Sequence, residues 1–477
     1  MPYNVSRRLV LKTGAAAALL ASTILSGPAS AAPVTIRVAL KDFLSTDPTA
    51  VAYVAQVEKA MAKRGHDIHI ELVDLPSSGY ADALGIMLLS RDIPDLIYFQ
   101  GGDEKFASQG VLEDWRPYIE KTKYLKNALY PHNKARLDNY PYLLYVHPLR
   151  AWQPVVREDW LKKAGAKPPE TTKAFAALLR TLHEHDFDND GTKNTWGITA
   201  AGSLEELDGF LNPAFGIDAT WLKDEEGAWV NSQISDEERD KLKYYHQLFK
   251  DGLLDPEYIT LNWQTKEDKF YTGRAGVVSA SNAENVVTYE TKMRALHPDV
   301  SLTVLDPPLG PKGQGLAAVD VSKESRGWAL SALSEHKQEV VALLDFMASP
   351  EGQFMERLGV PGIHYKKEGD QIKPLAALGS WESPFLVASN YDPPIELLPA
   401  SAEKYIDNTQ RYFLADNKFS YPPEYAAALD AATNVYNAFA YELVSGKANF
   451  DQWDDYVAQW KSSGGSQLTE YAKQVLK

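Results

Sequence analysis

Asp186, Asp188 and Asp190 fall at alternate positions just before Gly191 in the stretch DFDNDGTKNTWGIT, residues 186–199. Three like charges this close repel one another unless a cation sits among them or the loop stays fully hydrated. An EF-hand-type calcium loop takes oxygens from positions 1, 3 and 5, a backbone carbonyl from 7 and a further ligand at 9, with glycine at 6 for the turn. Counted from Asp186, these positions are Asp186, Asp188, Asp190, Thr192 and Asn194, with Gly191 in phase. Position 12, where a bidentate Glu belongs, is Gly197, so a last ligand has to come from a group such as Thr195, Glu205 or Glu206. The alternative is a polar turn built on Asp-Gly chemistry. The phased spacing favours Ca2+, and an all-oxygen loop without His points to a structural ion rather than a catalytic one.

Catalytic constellations are missing. The chain has no HExxH, no G-x-S-x-G and no phosphate-cradling G-x-x-x-x-G-K-[ST]. His183 and His185, in HEHD, fall on different faces of a helix and are expected to meet solvent. Aromatic residues are the other surplus, with 11 Trp, 25 Tyr and 16 Phe. Most belong in a core, but Trp152 (LRAWQP), Trp263 (TLNWQT) and Trp381 (GSWESP) sit on expected loops among polar neighbours. Flat apolar rings beside a few placed polar groups are what a sugar-binding cleft requires.

The elements that must position these residues are readable from periodicity. VTIRVAL and HDIHIELVDL alternate as strands, and IPDLIYF is a third, nearly all-apolar strand. Asp47-Pro48 starts a helix that places Val51, Val54, Val57 and Met61 on one face and stops at Gly65; a second helix covers roughly Tyr80 to Ser90. Strand–helix–strand–helix–strand in this rhythm predicts βαβ units and a parallel sheet covered on both faces. Further along, HKQEVVALLDFM is helical with Val340, Leu343, Leu344 and Met347 in register, AGVVSAS and VSLTVLDPP are short strands, and PPLGPKGQG (307–315) is a loop. Ligands of open α/β sheets sit beyond the carboxyl ends of strands. That rule selects Lys41-Asp42, Gln100, Asp103, Arg150 to Gln153, and Ser281-Asn282 as candidate site positions.

The ends and the composition set the compartment. Arg7 and Arg8, a short apolar run to Leu25 and Ala29-Ser30-Ala31 have the order of an export signal of twin-arginine type, too short to span a bilayer. Removing residues 1–31 leaves 46 basic against 64 acidic residues, a net charge of −18. Such a surface excludes nucleic acid and anionic membranes as partners. The absence of Cys excludes disulfides, thiol chemistry and attachment by an N-terminal lipidated Cys. The expectation is a soluble, exported monomer of about 446 residues with two or more domains.

VVREDWLKKAGAKPPETTKAF, the acidic loop and WGIT, in that order, resemble the central signature of the extracellular solute-binding proteins of ABC importers. YADALGIMLLSRDIPDLIYF, FYTGRAGVV, ERLGVPGIHY and LVSGKANFDQWDDYVAQWKSSGG extend the likeness over nearly the whole mature chain. It lies with the branch that includes alginate- and pectin-oligosaccharide binders. The resemblance implies an α/β, two-lobed periplasmic-binding-protein fold of type II-like topology, each lobe a mainly parallel sheet flanked by helices. Lobe one is expected over 32–155 with a return at about 281–330; a helix-rich lobe, over 156–280 and 331–477, carries the calcium-type loop. It also implies a structural Ca2+ on Asp186, Asp188, Asp190, the Thr192 carbonyl and Asn194. An oligosaccharide would bind in the interlobe cleft by closure and pass to the permease subunits in the membrane. The candidate ligand contacts are Trp152, Trp263, Trp381, Arg150, Gln153, Asp42, Gln100, Asp103 and Asn282. A secreted lyase or hydrolase, or a same-fold receptor for a non-sugar solute, is the alternative.

Overall fold

The computed structural model describes residues 33–146, 148–187, 191–318, 326–386, 393–419 and 421–476. Its first sheet has strand order Arg326–Leu330, Leu96–Gln100, Val34–Ala39, Ile68–Val73. The three N-terminal strands run parallel, and Arg326–Leu330 adds antiparallel to Leu96–Gln100. The crossovers are the expected helices, Pro48–Ala62 and Tyr80–Leu89. Asp47 caps the first by accepting the N–H of Thr49 at 2.8 Å, with Pro48 in the first turn where its missing donor costs nothing. The buried face differs by one position from the expected one. Ala50, Tyr53, Val54, Val57, Ala60 and Met61 point inward, whereas Val51 is 50% exposed, because the large ring of Tyr53 takes the inner stripe.

The second sheet has order Trp196–Ile198, Ala275–Ala280, Gln153–Arg157, Leu302–Val304. Every residue of Ala275–Ala280 is buried. Only its pair with Trp196–Ile198 is parallel; Gln153–Arg157 runs antiparallel to both its neighbours, so this sheet is mixed rather than mainly parallel. The C-terminal helices Ala426–Ser445, Trp453–Trp460 and Ser466–Val475 close over this body, burying Trp453, Tyr456, Trp460 and Leu468 in one core with Tyr245, Phe210 and Trp221.

The lobe boundaries expected from the sequence need correction. Helix Ala283–Leu296 and strand Leu302–Val304, expected to return to the first lobe, pack in the second, because Leu302–Val304 pairs with Val155–Arg157. Of the described residues of that expected return segment, Arg326–Leu330 joins the first sheet. Helices Lys337–Met347 and Pro350–Leu358, expected in the C-terminal lobe, pack on the first sheet together with Phe385 and Leu386. A hydrophobic stripe states that a helix is buried; it does not state against which sheet. Among the described residues, Leu144 lies in the first body and Ala151 in the second, Ala318 in the second and Arg326–Leu330 in the first, and Leu386 is the last to join the first core. The first two crossings are tied by antiparallel bridges, Leu144 with Trp328 and Ala151 with Ala318.

The last exit is anchored on one helix. The Glu356 carbonyl accepts the indole N–H of Trp381 at 2.6 Å and the hydroxyl of Ser383 at 2.8 Å. Its fully buried carboxyl accepts the backbone N–H groups of Phe385 and Leu386 at 3.0 and 3.1 Å and the hydroxyl of Tyr53. Burial pushes this carboxyl up to about 8. A folded-state value above the unfolded one means that the native protein holds the extra proton, so stability is lost as pH rises. Melting temperature is expected to fall between about pH 5 and about pH 8 by a component that Glu356→Gln removes. Parallel melting curves of the two proteins against pH check this; equal slopes would contradict it.

Candidate functional site

A cavity of about 420 Å³ opens in the second body beside the crossing strands, lined on one side by Trp152, Ala317 and Ala318. Helix Glu205–Leu211 forms its wall. The ring of Trp152 lies so close to this helix that a side chain at Gly209 would meet the Trp152 Cβ at 2.4 Å; glycine is required there by contact, not by its backbone angle. Trp263, at the start of helix Trp263–Tyr271, stands with its ring centroid 5.8 Å from that of Trp152. The helix start is fixed by a reciprocal cap, in which Asn262 accepts the Thr265 N–H at 2.9 Å and Thr265 accepts the Asn262 N–H at 3.0 Å.

A buried ion pair supports the two rings. Lys266 lies 3.5 Å from the ring centroid of Trp263 and 5.6 Å from that of Trp152, a cation–π contact on both. Its ammonium bonds both oxygens of Glu206 at 3.0 Å. Burial pushes the Glu206 carboxyl up to about 7 and holds Lys266 below the usual lysine value, against the pull of the partner charge in each case.

On the cavity floor, Lys241 is 1% exposed and reaches Asp208 at 2.7 Å, Glu238 at 2.9 Å and the side-chain oxygen of Asn212 at 2.6 Å. The hydroxyls of Tyr245 and Tyr436 donate to Asp208 (2.9 Å) and Glu238 (2.7 Å). Burial raises Glu238, whereas the two carboxylates keep Lys241 above its ordinary value despite its burial. These polar groups are held rigidly by one another. Two others are not: the indole nitrogen of Trp152 and the hydroxyl of Tyr258, both on the cavity lining and out of water, have no hydrogen-bond partner among the described residues. A buried donor left unpaired costs about 1–3 kcal/mol, and these two bear that cost beside the cavity.

Of the expected ligand contacts, Trp152 lines the cavity and Trp263 adjoins it. The others take different places. Gln153 is fully buried, donating to the Tyr405 carbonyl at 3.0 Å and the Thr409 hydroxyl at 2.7 Å, which makes it a sheet-to-helix clamp. Trp381 packs on Tyr53 (5.0 Å) and His364 (4.6 Å) in the first core, with its N–H already bound. Asp103 is 1% exposed and accepts the Tyr140 hydroxyl at 2.7 Å. Arg150 donates to Ser281 at 2.8 Å, and Asn282 caps helix Ala283–Leu296 through the Asn285 N–H at 2.7 Å. Asp42 is exposed with φ 60°; burial would raise its carboxyl, but bonds from Ser77 and Lys41 outweigh that and hold it below the usual range. Gln100 ends its strand half-buried, in register with Arg326. Asp208, Asn212, Lys241 and Tyr258, which sequence reasoning missed, come from helices and turns rather than from strand ends; none carries a motif.

Asp188 and Asp190 of the acidic loop lie outside the described residues. At its edges, the Asp186 carboxylate accepts the Gly191 N–H at 2.9 Å, and Phe187 stacks on Trp160 with centroids 4.1 Å apart. His183 is half-buried against expectation, bonding the Thr195 carbonyl at 2.7 Å and stacking on Trp196. Gly197 explains the missing Glu of position 12: a Cβ there would sit 2.8 Å from Leu179 and from the Leu253 carbonyl. The substitutes considered for that ligand are engaged elsewhere, since Glu206 pairs with Lys266, Glu205 lines the cavity and the Thr195 hydroxyl donates to the Gly273 carbonyl at 2.7 Å.

Comparison with known proteins adds the following. The model of the bacterial extracellular solute-binding protein family matches residues 45–354. The polygalacturonan/rhamnogalacturonan-binding protein YtcQ of Bacillus subtilis is 22% identical over 444 residues, covering 86% of this chain and 85% of its own. A crystal structure of the alginate-binding protein AlgQ2 without calcium ion superposes with TM-score 0.62 at 18% identity, covering 93% of this chain and 98% of that one. The Streptococcus pneumoniae ABC-transporter substrate-binding protein FusA, as an EF-hand mutant with fructo-nystose, gives TM-score 0.62 at 17% identity, covering 93% and 99%. These likenesses extend over both bodies.

Breaking one partner of the Glu206–Lys266 pair leaves a buried charge, and is expected to cost about 3–5 kcal/mol. Lys266→Met should lower the free energy of unfolding by that amount, and the double variant Lys266→Met/Glu206→Leu should recover most of it. Urea unfolding of wild type, single and double variants measures this; a double variant as unstable as the single would refute the pairing argument.

Proposed function

Because the chain belongs to the bacterial extracellular solute-binding protein family, we propose that it is the substrate-binding component of an ABC importer and that its solute is an oligosaccharide. The observation that carries the sugar reading is the Trp152–Trp263 pair beside a polar cavity lined by Glu205, Asp208, Asn212 and Asp218. Indole faces offer apolar area to the C–H faces of a pyranose or furanose ring, while the carboxylates of the lining accept from its hydroxyls. The likeness to the polygalacturonan/rhamnogalacturonan-binding YtcQ and to FusA, which binds fructo-nystose, supports the same class. The second body holds these groups ready, and closure of the first body over them about the crossing strands is the expected capture step. The captured sugar then passes to the permease. Binding without turnover is part of this reading: the buried carboxylates are held by lysines and tyrosines, and a glycan should come through intact.

The export signal expected at residues 1–31 lies outside the described residues, and no helix among the described residues is long and apolar enough to cross a membrane. We read the mature protein as periplasmic, soluble and monomeric. The acidic loop is proposed to hold a structural Ca2+. The oxygen-only donor set of Asp186, Asp188, Asp190, Thr192 and Asn194 suits a hard cation, and the Asp186–Gly191 bond gives the loop's first turn the required bend. The ion would stiffen the loop that Phe187 anchors on Trp160, and no described residue of this loop lines the cavity.

Two outcomes follow. Trp152→Ala should weaken oligosaccharide binding by about 10–100-fold, the equivalent of about 1.5–3 kcal/mol of lost ring burial, while Trp381→Ala lowers melting temperature and leaves affinity within threefold of wild type (about 0.7 kcal/mol). Titration calorimetry with both variants separates the roles; reversed effects would move the site to the first body. A calcium chelator should lower the melting temperature of the wild-type protein, with restoration by added Ca2+. An unchanged melting curve would return the loop to an ordinary Asp-Gly turn.

A further inference from the structure

The charge of the cavity decides between classes of glycan. Its lining carries the carboxylates of Glu205, Asp208, Asp218, Glu238 and Asp416 against the ammonium groups of Lys241 and Lys418. The balance stays negative even with a proton on Glu238. Lys241 offers nothing to an anionic ligand, since it is 1% exposed and its reach is taken by Asp208, Glu238 and Asn212. Three cations outside the lining are also committed: Lys266 to Glu206 beneath the tryptophans, Arg150 to Ser281 and Lys312 to Glu237.

Asp208, in contrast, has capacity to spare. Both bonds that Asp208 receives, from Lys241 and Tyr245, fall on Oδ1, leaving Oδ2 outside them. A carboxylate binds a sugar by accepting hydroxyl protons, and every ring of a neutral glycan supplies several. A uronate places an acceptor-only group where the lining already consists of acceptors, and two carboxylates at contact distance repel strongly where water is partly excluded.

We infer that this cleft selects an uncharged oligosaccharide and turns away uronate-containing ones. The inference rests on the oligosaccharide reading above and narrows it, since polygalacturonan and alginate are acidic polymers whereas fructo-nystose is neutral. Like-charge juxtaposition acts here as the element that sets specificity, while the indole rings supply affinity without regard to charge.

The test is calorimetric titration of the mature protein with trisaccharides in two sets. The neutral set is kestose, xylotriose, cellotriose and maltotriose; the acidic set is trigalacturonate, trimannuronate and the methyl ester of trigalacturonate as its uncharged counterpart. The expected result is saturable binding of at least one uncharged trisaccharide, with both free acids at least about tenfold weaker. Asp218→Asn, a change at an exposed residue of the lining, should narrow that gap, as should salt at about 1 M, which screens charge beyond about 3 Å. A free acid that binds as tightly as the best uncharged sugar, or more tightly, overturns the charge selection and leaves the oligosaccharide reading standing. A gap unmoved by both Asp218→Asn and salt overturns it as well, because shape would then be the selecting factor. Binding by no sugar of either set overturns the oligosaccharide reading and this inference with it.

Discussion

Two turns of helix, Glu205–Leu211, carry the constraint on which the candidate site depends. One residue, Gly209, lets the Trp152 ring come to rest on the helix backbone. Two residues of the preceding turn then face opposite tasks. Glu206 turns away to hold Lys266 under both tryptophans, and Asp208 turns to the cavity floor to hold Lys241 and Tyr245. A methyl group at position 209 would force Trp152 off this surface, and the ring pair, the ion pair and the floor would lose their common reference. The crossing strand that carries Trp152 is also the route between the two bodies, so the site and the hinge share a residue neighbourhood.

The ionic groups beneath this site are unusual for a protein interior. Lys241 and Lys266 are among its most buried side chains, 1% and 0% exposed. Buried ion pairs are weak sources of net stability, because desolvation offsets most of the Coulomb attraction. Their effect is on geometry: each fixes several partners at bonding distance, and any rearrangement would strand a charge. A binding surface made of such groups arrives at its ligand already in shape, which limits the ordering cost of association.

Much of the fold was legible in the sequence, for physical reasons that also mark the limit. Alternation and helical periodicity located Val34–Ala39, Ile68–Val73, Leu96–Gln100 and their crossover helices, because those elements pack against their neighbours in sequence. The placement of Ala283–Val304 and of Lys337–Leu358 was not legible, since a stripe of Val and Leu is complementary to either sheet. The site was half legible. Trp152 and Trp263 stood out as large rings among polar residues at element ends. Gln153 satisfied the same positional rule and proved to be a clamp, because the side-chain partners that bury it, Tyr405 and Thr409, lie some 250 residues further along the chain. The floor residues Asp208 and Lys241 looked like ordinary charges of amphipathic helices, and only the arrival of the C-terminal helix with Tyr436 makes them interior.

The interleaving of the two bodies reaches beyond binding, into how the molecule is made. The first sheet lacks its edge strand until Arg326–Leu330 has been synthesised, and the second core lacks Trp453, Tyr456 and Trp460 until the last turns of the chain emerge. Neither body can therefore finish as the ribosome delivers it, N-terminal half first. Pairings that join residues hundreds of positions apart close slowly and expose apolar edges meanwhile. A chain of this topology has its two halves committed to one another at birth, and each serves as the waiting template for the other until the C-terminal helices seat.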